Sequence, residues 1–237
     1  MVSIICCTMR QNYMENVFEN YENQVWKEKE LIIILNNDEM NLSSWQKRAQ
    51  QYPNVSVFQL PEEITLGECI NFAVQKSRYD LIAKFDDDDF YAPYYLTQSI
   101  LALKKSSADL VGKRTVYMYF QEEEMLAIHK PGKENQYVRI GIKGATMVFR
   151  KEIMNIVQFP KRNLGEDTFF LKLCSKQNLK IYSGDKNNYA CIRISQPGHH
   201  TWAANNAKLL KKSVPVSRTT DFNLVQQIIS DDWEGEM

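Results

Sequence analysis

The stretch Leu81-Ile82-Ala83-Lys84-Phe85-Asp86-Asp87-Asp88-Asp89-Phe90-Tyr91-Ala92-Pro93 runs from an apolar strand pattern directly into four consecutive carboxylates. Leu81, Ala83 and Phe85 alternate with Ile82 and Lys84, and Pro93 with Tyr94-Tyr95-Leu96 opens a helical pattern, so the acidic run reads as a strand-to-helix turn. Open α/β sheets collect ligands at such turns, beyond the carboxyl ends of their strands. Neighbouring Asp side chains repel one another and stay ionised together only where a cation or abundant water compensates them. Hard oxygen ligands suit Mg²⁺ or Mn²⁺, which take one or two protein carboxylates and complete their shell with water and substrate phosphate. The plain alternative is a solvated acidic turn, which leaves the Leu-Ile-Ala-Lys-Phe lead-in without a purpose. An EF-hand loop would need Asp at alternate positions, a central Gly and a terminal Glu, and none of that follows here.

Upstream of this turn the chain repeats one unit. Val2-Ser3-Ile4-Ile5-Cys6-Cys7 is a short apolar, β-branched run that reads as a buried strand. Thr8 to Asn12 follows as a polar loop, and Met14, Val17, Phe18 and Tyr21 give Tyr13 to Val25 helical spacing. Glu30 to Leu35 is a second strand with Asn36-Asn37-Asp38-Glu39 as its polar end, Leu42 to Tyr52 a second helix, Val55 to Phe58 a third strand, and Leu66 to Lys76 a third helix. This rhythm predicts an α/β fold, a single domain with a mostly parallel central sheet flanked by helices. Thr8, Arg10, Asn36, Asp38 and Asp86 to Asp89 then fall along one rim, a nucleotide site without a Gly-rich loop. With nine glycines in the chain, neither GxGxxG nor a P-loop occurs.

Composition limits what the rim can serve. The 237 residues are 44% apolar and 24% charged, enough for one full core. Net charge is zero, which argues against nucleic acid as a partner. Five scattered cysteines without a CxxC pair read as reduced thiols. Met1-Val2-Ser3 enters a strand without a basic leader, and apolar runs are far short of the roughly 20 residues of a membrane span. A cytoplasmic location and no transmembrane segment are therefore expected.

Further along, Asp109 to Phe120 reads as a strand, Gln121 to Tyr137 as an irregular polar excursion, Ile142 to Phe149 as a strand, and Asn188 to Ile194 as the last strand. Gly144 could admit a ligand close to the backbone or mark a bulge. Tyr117, Tyr119 and Phe120 could stack on ligand rings or fill the core. Gly165-Glu166-Asp167 precedes an apolar Phe169-Phe170-Leu171 helix, where acidic residues are also an ordinary helix start. Residues 203 to 237 read as a helix, a polar connector and a short terminal helix, Phe222 to Ile229.

Taken together, these residues resemble the family-2 glycosyltransferases of the GT-A fold, a Rossmann-like nucleotide-diphospho-sugar transferase class. Val2 to Thr8 is similar to the family's first strand and nucleotide loop, and Gln24 followed by Glu30 to Asn37 to its Gln-x-(Tyr/Trp) segment and second strand. Leu66-Gly67-Glu68-Cys69-Ile70-Asn71 resembles a Leu-Gly-x-x-Leu-Asn segment, Asp86-Asp87-Asp88 sits at the DxD position, and Gly165-Glu166-Asp167 at the Glu-Asp motif. The match covers residues 2 to 202 and rests on the joint order of these short motifs. It implies a hexosyltransferase-like enzyme that moves a sugar from a nucleoside-diphosphate sugar to a saccharide or other hydroxyl acceptor with Mn²⁺ or Mg²⁺, inverting the anomeric centre. Thr8, Arg10, Lys84, Asp86 and Asp87 would then lie on the nucleotide side, Asp88 would ligate the metal with His200 (or its neighbour His199) in reach of it, and Asp167, beside Glu166, would be the general base. Asn36 stands where members present an acidic residue to uracil, with Asp38 two residues on, so UDP is the expected carrier while dTDP or another nucleotide stays open. The resemblance places a glycosyltransferase domain over residues 1–202 and a helical extension over 203–237. A non-catalytic binding or surface-layer component that keeps the fold, and a nucleotidyltransferase, are the alternatives. The second would need a basic Gly-rich loop after the first strand.

Overall fold

The computed structural model describes residues 1–195 and 204–229. The repeating unit is present as β1 (Val2–Thr8), α1 (Met14–Glu22), β2 (Lys29–Leu35), α2 (Leu42–Ala49), β3 (Val55–Gln59), α3 (Leu66–Lys76) and β4 (Leu81–Phe85). The four strands pair in parallel in the order β3-β2-β1-β4, with Cys6 opposite both Ile33 and Phe85. Both faces are buried, which is why these strands are continuous apolar runs rather than alternating ones.

Residue parity decides which helix each side chain meets. Ile4, Leu31, Ile33 and Ala83 face Val17, Phe18 and Tyr21 of α1 and Trp45 of α2, together with Leu96 and Ile100 of α4 (Tyr95–Ser106), which follows the two-residue β5 (Phe90–Tyr91). Ile5, Ile32, Ile34 and Ile82 face Cys69, Ile70, Ala73 and Val74 of α3 on the other side. Each such side chain, fully buried, contributes roughly 1.5–3 kcal/mol. Helix α3 begins with a capping box in which Thr65 and Glu68 satisfy each other's donors. Its Gly67 lets the helix close onto a neighbouring segment, since a Cβ there would stand 3.0 Å from the Pro160 carbonyl carbon and nearer still to its oxygen.

The second half departs from the expected elements. The predicted strand over 109–120 is two strands, β6 (Leu110–Gly112) and β7 (Val116–Phe120). They separate because the Lys113 and Arg114 N–H groups are taken by the Thr146 and Ser183 hydroxyls, at 2.8 and 3.1 Å, instead of by a ladder. The polar excursion contains β8 (Met125–His129) and β9 (Gln136–Val138). The strand expected at 142–149 is a 3₁₀ turn, Gly144–Thr146, followed by a short β10 (Val148–Arg150). Helix α5 (Glu166–Lys176) then leads to β11 (Ile181–Ser183) and β12 (Tyr189–Arg193). Strand β10 runs antiparallel between β4 and β6 and extends the main sheet to eight strands, β3-β2-β1-β4-β10-β6-β11-β9. Phe170, Leu171 and Cys174 of α5 join α3 on its second face.

A second, five-stranded sheet has the order β13-β8-β7-β12-β5. Beyond residue 203 a short helix, α6 (Asn206–Lys211), leads to strand β13 (Ser213–Arg218), which pairs antiparallel with β8. The segment read as a polar connector is thus a sheet strand, because β8 offers it a partner that lies far away in sequence. In place of the expected terminal helix, Asn223–Val225 forms a single 3₁₀ turn whose Val225 is fully buried. Among the described residues no helix is long and apolar enough to cross a membrane.

Candidate active site

The rim expected from the sequence is formed. β1 and β2 end side by side at Thr8 and Leu35, and the Asn36 N–H donates to the Thr8 carbonyl at 2.8 Å. The Asn36 amide donates to the Pro61 carbonyl at 2.8 Å, and Asp38 is exposed on the turn that follows.

Beside them the acidic run turns away from the end of β4. Asp87 and Asp89 point inward and are buried, whereas Asp86 and Asp88 are half-buried. Asp87 accepts from the Thr8 hydroxyl at 2.5 Å and from Arg10 Nε at 3.0 Å, with Arg10 Nη2 on its other oxygen. Arg10 Nη2 also lies 3.0 Å from Asp88 Oδ2. Asp89 accepts from the Tyr189 hydroxyl at 2.5 Å and from the Ile192 N–H at 3.0 Å, which ties the turn to β12. Burial, with Asp88 and Asp86 close by, pushes the Asp89 carboxyl well above its ordinary range. Burial also raises Asp87, against the pull of Arg10. Of the expected nucleotide-side residues, then, Asp87 is engaged within the protein, and any effect it has on a ligand passes through Thr8 and Arg10.

Sequence reasoning missed what holds this turn from behind. Asn16, Asn20 and Gln24 recur every four residues along one face of α1 and just beyond it. The Asn16 amide donates to the carbonyls of Asp87 and Asp89 at 2.6 and 3.2 Å, and Asn20 to that of Asp89 at 2.9 Å. Gln24 donates to the Ala92 carbonyl and accepts the Leu96 N–H, at 3.0 and 3.1 Å. Three amides on the inward face of an otherwise amphipathic helix are the signal that could have found them, since buried amides need partners.

Across from the turn, α5 starts at Gly165, whose φ of 75° is left-handed, and presents Glu166 and Asp167 in its first turn. Lys84 links the two acidic groups: its ammonium, 6% exposed, pairs with Asp86 and lies in the field of Glu166 and Asp167. Burial works against the Lys84 charge, but these carboxylates prevail and hold it above its ordinary range. Glu166 is 7% exposed, and its burial, opposed by Lys84 and aided by Asp167, pushes it up to about 7. Asp167 accepts the Thr168 N–H at 2.5 Å and lies against Gly144, where a Cβ would stand 2.9 Å from the Asp167 Cβ and closer to its Oδ2. The close approach that Gly144 permits is therefore that of Asp167. The Tyr91 hydroxyl, also missed, spans both sides: it accepts the Asp86 N–H at 2.8 Å and donates to the Ala145 carbonyl at 2.7 Å.

The aromatics considered for ligand stacking are core residues. Tyr117, Tyr119 and Phe120 are buried in β7, and Tyr119 meets Phe222 edge-on. His199, His200 and Trp202 lie outside the described residues. Among the described residues no group of three or more His, Cys, Asp or Glu could enclose a metal. Asp86 and Asp88, two residues apart and reachable by solvent, instead fit a hard ion that takes one or two carboxylates and fills its shell from water and phosphate.

A family model described as "Glycosyl transferase family 2" matches residues 3–169. The chain is 30% identical over 115 residues to the O-antigen biosynthesis glycosyltransferase WbnJ of Escherichia coli, a match over 47% of this chain and 45% of that protein. Among solved structures it resembles S. aureus TarS 1-349 in complex with UDP-GlcNAc, with a TM-score of 0.65 and 15% identity over 86% of this chain and 61% of the other. It also resembles the mannosyltransferase PcManGT from Pyrobaculum calidifontis in complex with GDP-Man and Mn²⁺, with a TM-score of 0.62 and 15% identity over 89% and 62%. The likeness to these two establishes a shared GT-A fold. The chain spans less than half the length of WbnJ and about three fifths of each solved chain.

Proposed function

The chain belongs to glycosyl transferase family 2, and from that premise we propose that it transfers a sugar from a nucleoside-diphosphate sugar, most readily a UDP-sugar, to a hydroxyl acceptor with inversion. The observation that carries this reading is the pair of carboxylate groups set on either side of Lys84, Asp86 with Asp88 at the rim and Asp167 against Gly144. Asp88, with Asp86 beside it, is the residue assigned to hold a divalent ion, and His200 remains the candidate third ligand. When bound, such an ion offsets the charge of the departing diphosphate. Thr8 and Arg10, fixed by Asp87, border the diphosphate side, and Asn36 offers its remaining amide groups to the edge of the base, with Asp38 beyond it.

Asp167 is assigned as the base that takes the acceptor's proton as the new glycosidic bond forms. Gly144 fixes where its carboxylate sits, in the first turn of α5 and in the field of Lys84. A base separate from the leaving-group side is what single displacement, and hence inversion, requires. The two solved relatives hold different bases, uridine in one and guanosine in the other, so the carrier has to be measured.

The test is release of nucleoside diphosphate from a panel of UDP-, GDP-, CDP- and dTDP-sugars with Mn²⁺ and a saccharide acceptor mixture. Turnover of one carrier, lowered about 10²–10⁴-fold in Asp167→Asn with nucleotide binding retained, is the expected result. Equal turnover in Asp167→Asn would remove the assigned base.

A further inference from the structure

The acidic turn already contains a cation. Arg10 places Nε and Nη2 on the two oxygens of Asp87, reaches Asp88 Oδ2 with Nη2 at 3.0 Å, and lies 4.6 Å over the ring of Tyr13. Burial opposes the guanidinium charge, yet Asp87 and Asp88 together hold it above its ordinary range.

The two Arg10 contacts are unequal. The contact to Asp87 is a fork, closed by the Thr8 hydroxyl, on a carboxylate that is 4% exposed. Giving it up would leave a buried charge unpaired, a strongly destabilising event. The contact to Asp88 is from Nη2 at 3.0 Å to a carboxylate whose side chain is 12% exposed, against 6% for Asp87. A competing cation can take Asp88 while Arg10 keeps Asp87.

We propose that Arg10 is a resident counter-ion for Asp88, which it yields to a divalent cation only when a diphosphate is present, so that metal and diphosphate enter this site cooperatively. The inference rests on the reading of the site as a metal and nucleotide-sugar site, and it adds the order in which the charges assemble. A guanidinium stays charged throughout the physiological range. A divalent ion arriving alone at Asp88 therefore meets a fixed positive charge one contact away, and Arg10 opposes it. A diphosphate changes the balance, because its oxygens accept both from Arg10 and from the ion. With Asp88 released, Arg10 remains anchored on Asp87 with Nη2 turned toward the rim, where the phosphates would lie.

The test is manganese affinity of the full chain, read from the free-ion EPR signal, with and without UDP, for wild type, Arg10→Met and the double variant Arg10→Met/Asp87→Asn. The double variant guards against misfolding of the single one, since Asn keeps an acceptor for Thr8 without leaving a buried charge. Wild type should bind Mn²⁺ about tenfold or more tightly with UDP than without it, and by linkage UDP should gain the same factor from Mn²⁺. In both variants Mn²⁺ alone should bind about tenfold or more tightly than to wild type, and the gain from UDP should shrink. Wild type that binds Mn²⁺ with UDP, together with variants whose affinity for Mn²⁺ alone is unchanged or weaker, overturns the role of Arg10. No Mn²⁺ binding by any of the three proteins, with UDP or without, overturns the metal-site reading and this inference with it.

Discussion

The acidic turn and the start of α5 bring carboxylates to the two sides of Lys84 under opposite conditions. At the turn, four carboxylates are met by Arg10, Lys84, two hydroxyls and a backbone N–H, two side-chain amides hold the backbone carbonyls, and the inward pair is sealed. At α5, Glu166 and Asp167 share only the distant half of Lys84's charge and a helix start, so Glu166 is poised near neutrality. The first region is built to hold charge in place. The second, on the proposed reading, lets a proton move, and its geometry depends on one glycine.

The comparison breaks most visibly at that glycine. Gly144→Ala forces the Asp167 carboxylate aside, and a displacement of about 1 Å at a reacting group costs roughly a hundredfold in turnover. Turnover should fall by that factor while metal-dependent nucleotide binding, which belongs to the other region, is kept. Gly67→Ala is the contrast: its Cβ meets the Pro160 backbone and no carboxylate, so it should lower the melting temperature more than it lowers turnover.

Glu166 sharpens the contrast through pH. Its pKa stands at about 7 against 4.5 for an ordinary glutamate, so the folded protein binds the extra proton more tightly than the unfolded chain does. The stability this proton adds is full below about pH 4.5 and is lost as pH rises through 7. Glu166→Gln, which stays neutral, should match wild type near pH 4 and exceed it by on the order of 3 kcal/mol at pH 8. Chemical denaturation at the two pH values measures this directly. The same difference at both would show that Glu166 takes up no proton across this range.

Tyr91→Phe has the smallest effect, because it cuts the bridge between the regions and leaves each of them intact. The Asp86 N–H and the Ala145 carbonyl lose a shared partner, a cost of about 1–3 kcal/mol in stability. Turnover should fall more than nucleotide affinity does, as expected if the hydroxyl sets the distance between Asp86 and Asp167.

The same two regions mark what the sequence could tell. Strands β1 to β4 were legible because each is buried on both faces and alternates with a helix nearby in the chain, so local pattern and tertiary position agree. Motif order singled out Asp86 to Asp88 and Glu166-Asp167, and the fold brings these two stretches to the two sides of Lys84. Strands β9 and β13 were not legible, since they are short and exist through antiparallel partners far away in sequence, and β8, though mostly apolar, sits in a stretch whose flanks are polar. Nor could four consecutive Asp residues say which two turn inward. The strand ends at Phe85 and residues 87 to 89 form a turn, so only the positions of Arg10, Tyr189 and the α1 amides reveal it. Gly144 was noticed for the right property, close approach, and given the wrong visitor.

The central claim is that the rim carboxylates and a divalent ion together hold a nucleoside diphosphate. Thermal stability of the protein with UDP, dTDP, GDP and CDP, each with and without Mn²⁺, in wild type and Asp88→Ala, tests it most directly. A ligand at about 100 times its dissociation constant stabilises the folded state by roughly 2.7 kcal/mol. The account predicts stabilisation of that order by one nucleotide, UDP first, only when Mn²⁺ is present and not in Asp88→Ala. Equal stabilisation without metal, or in Asp88→Ala, would contradict it.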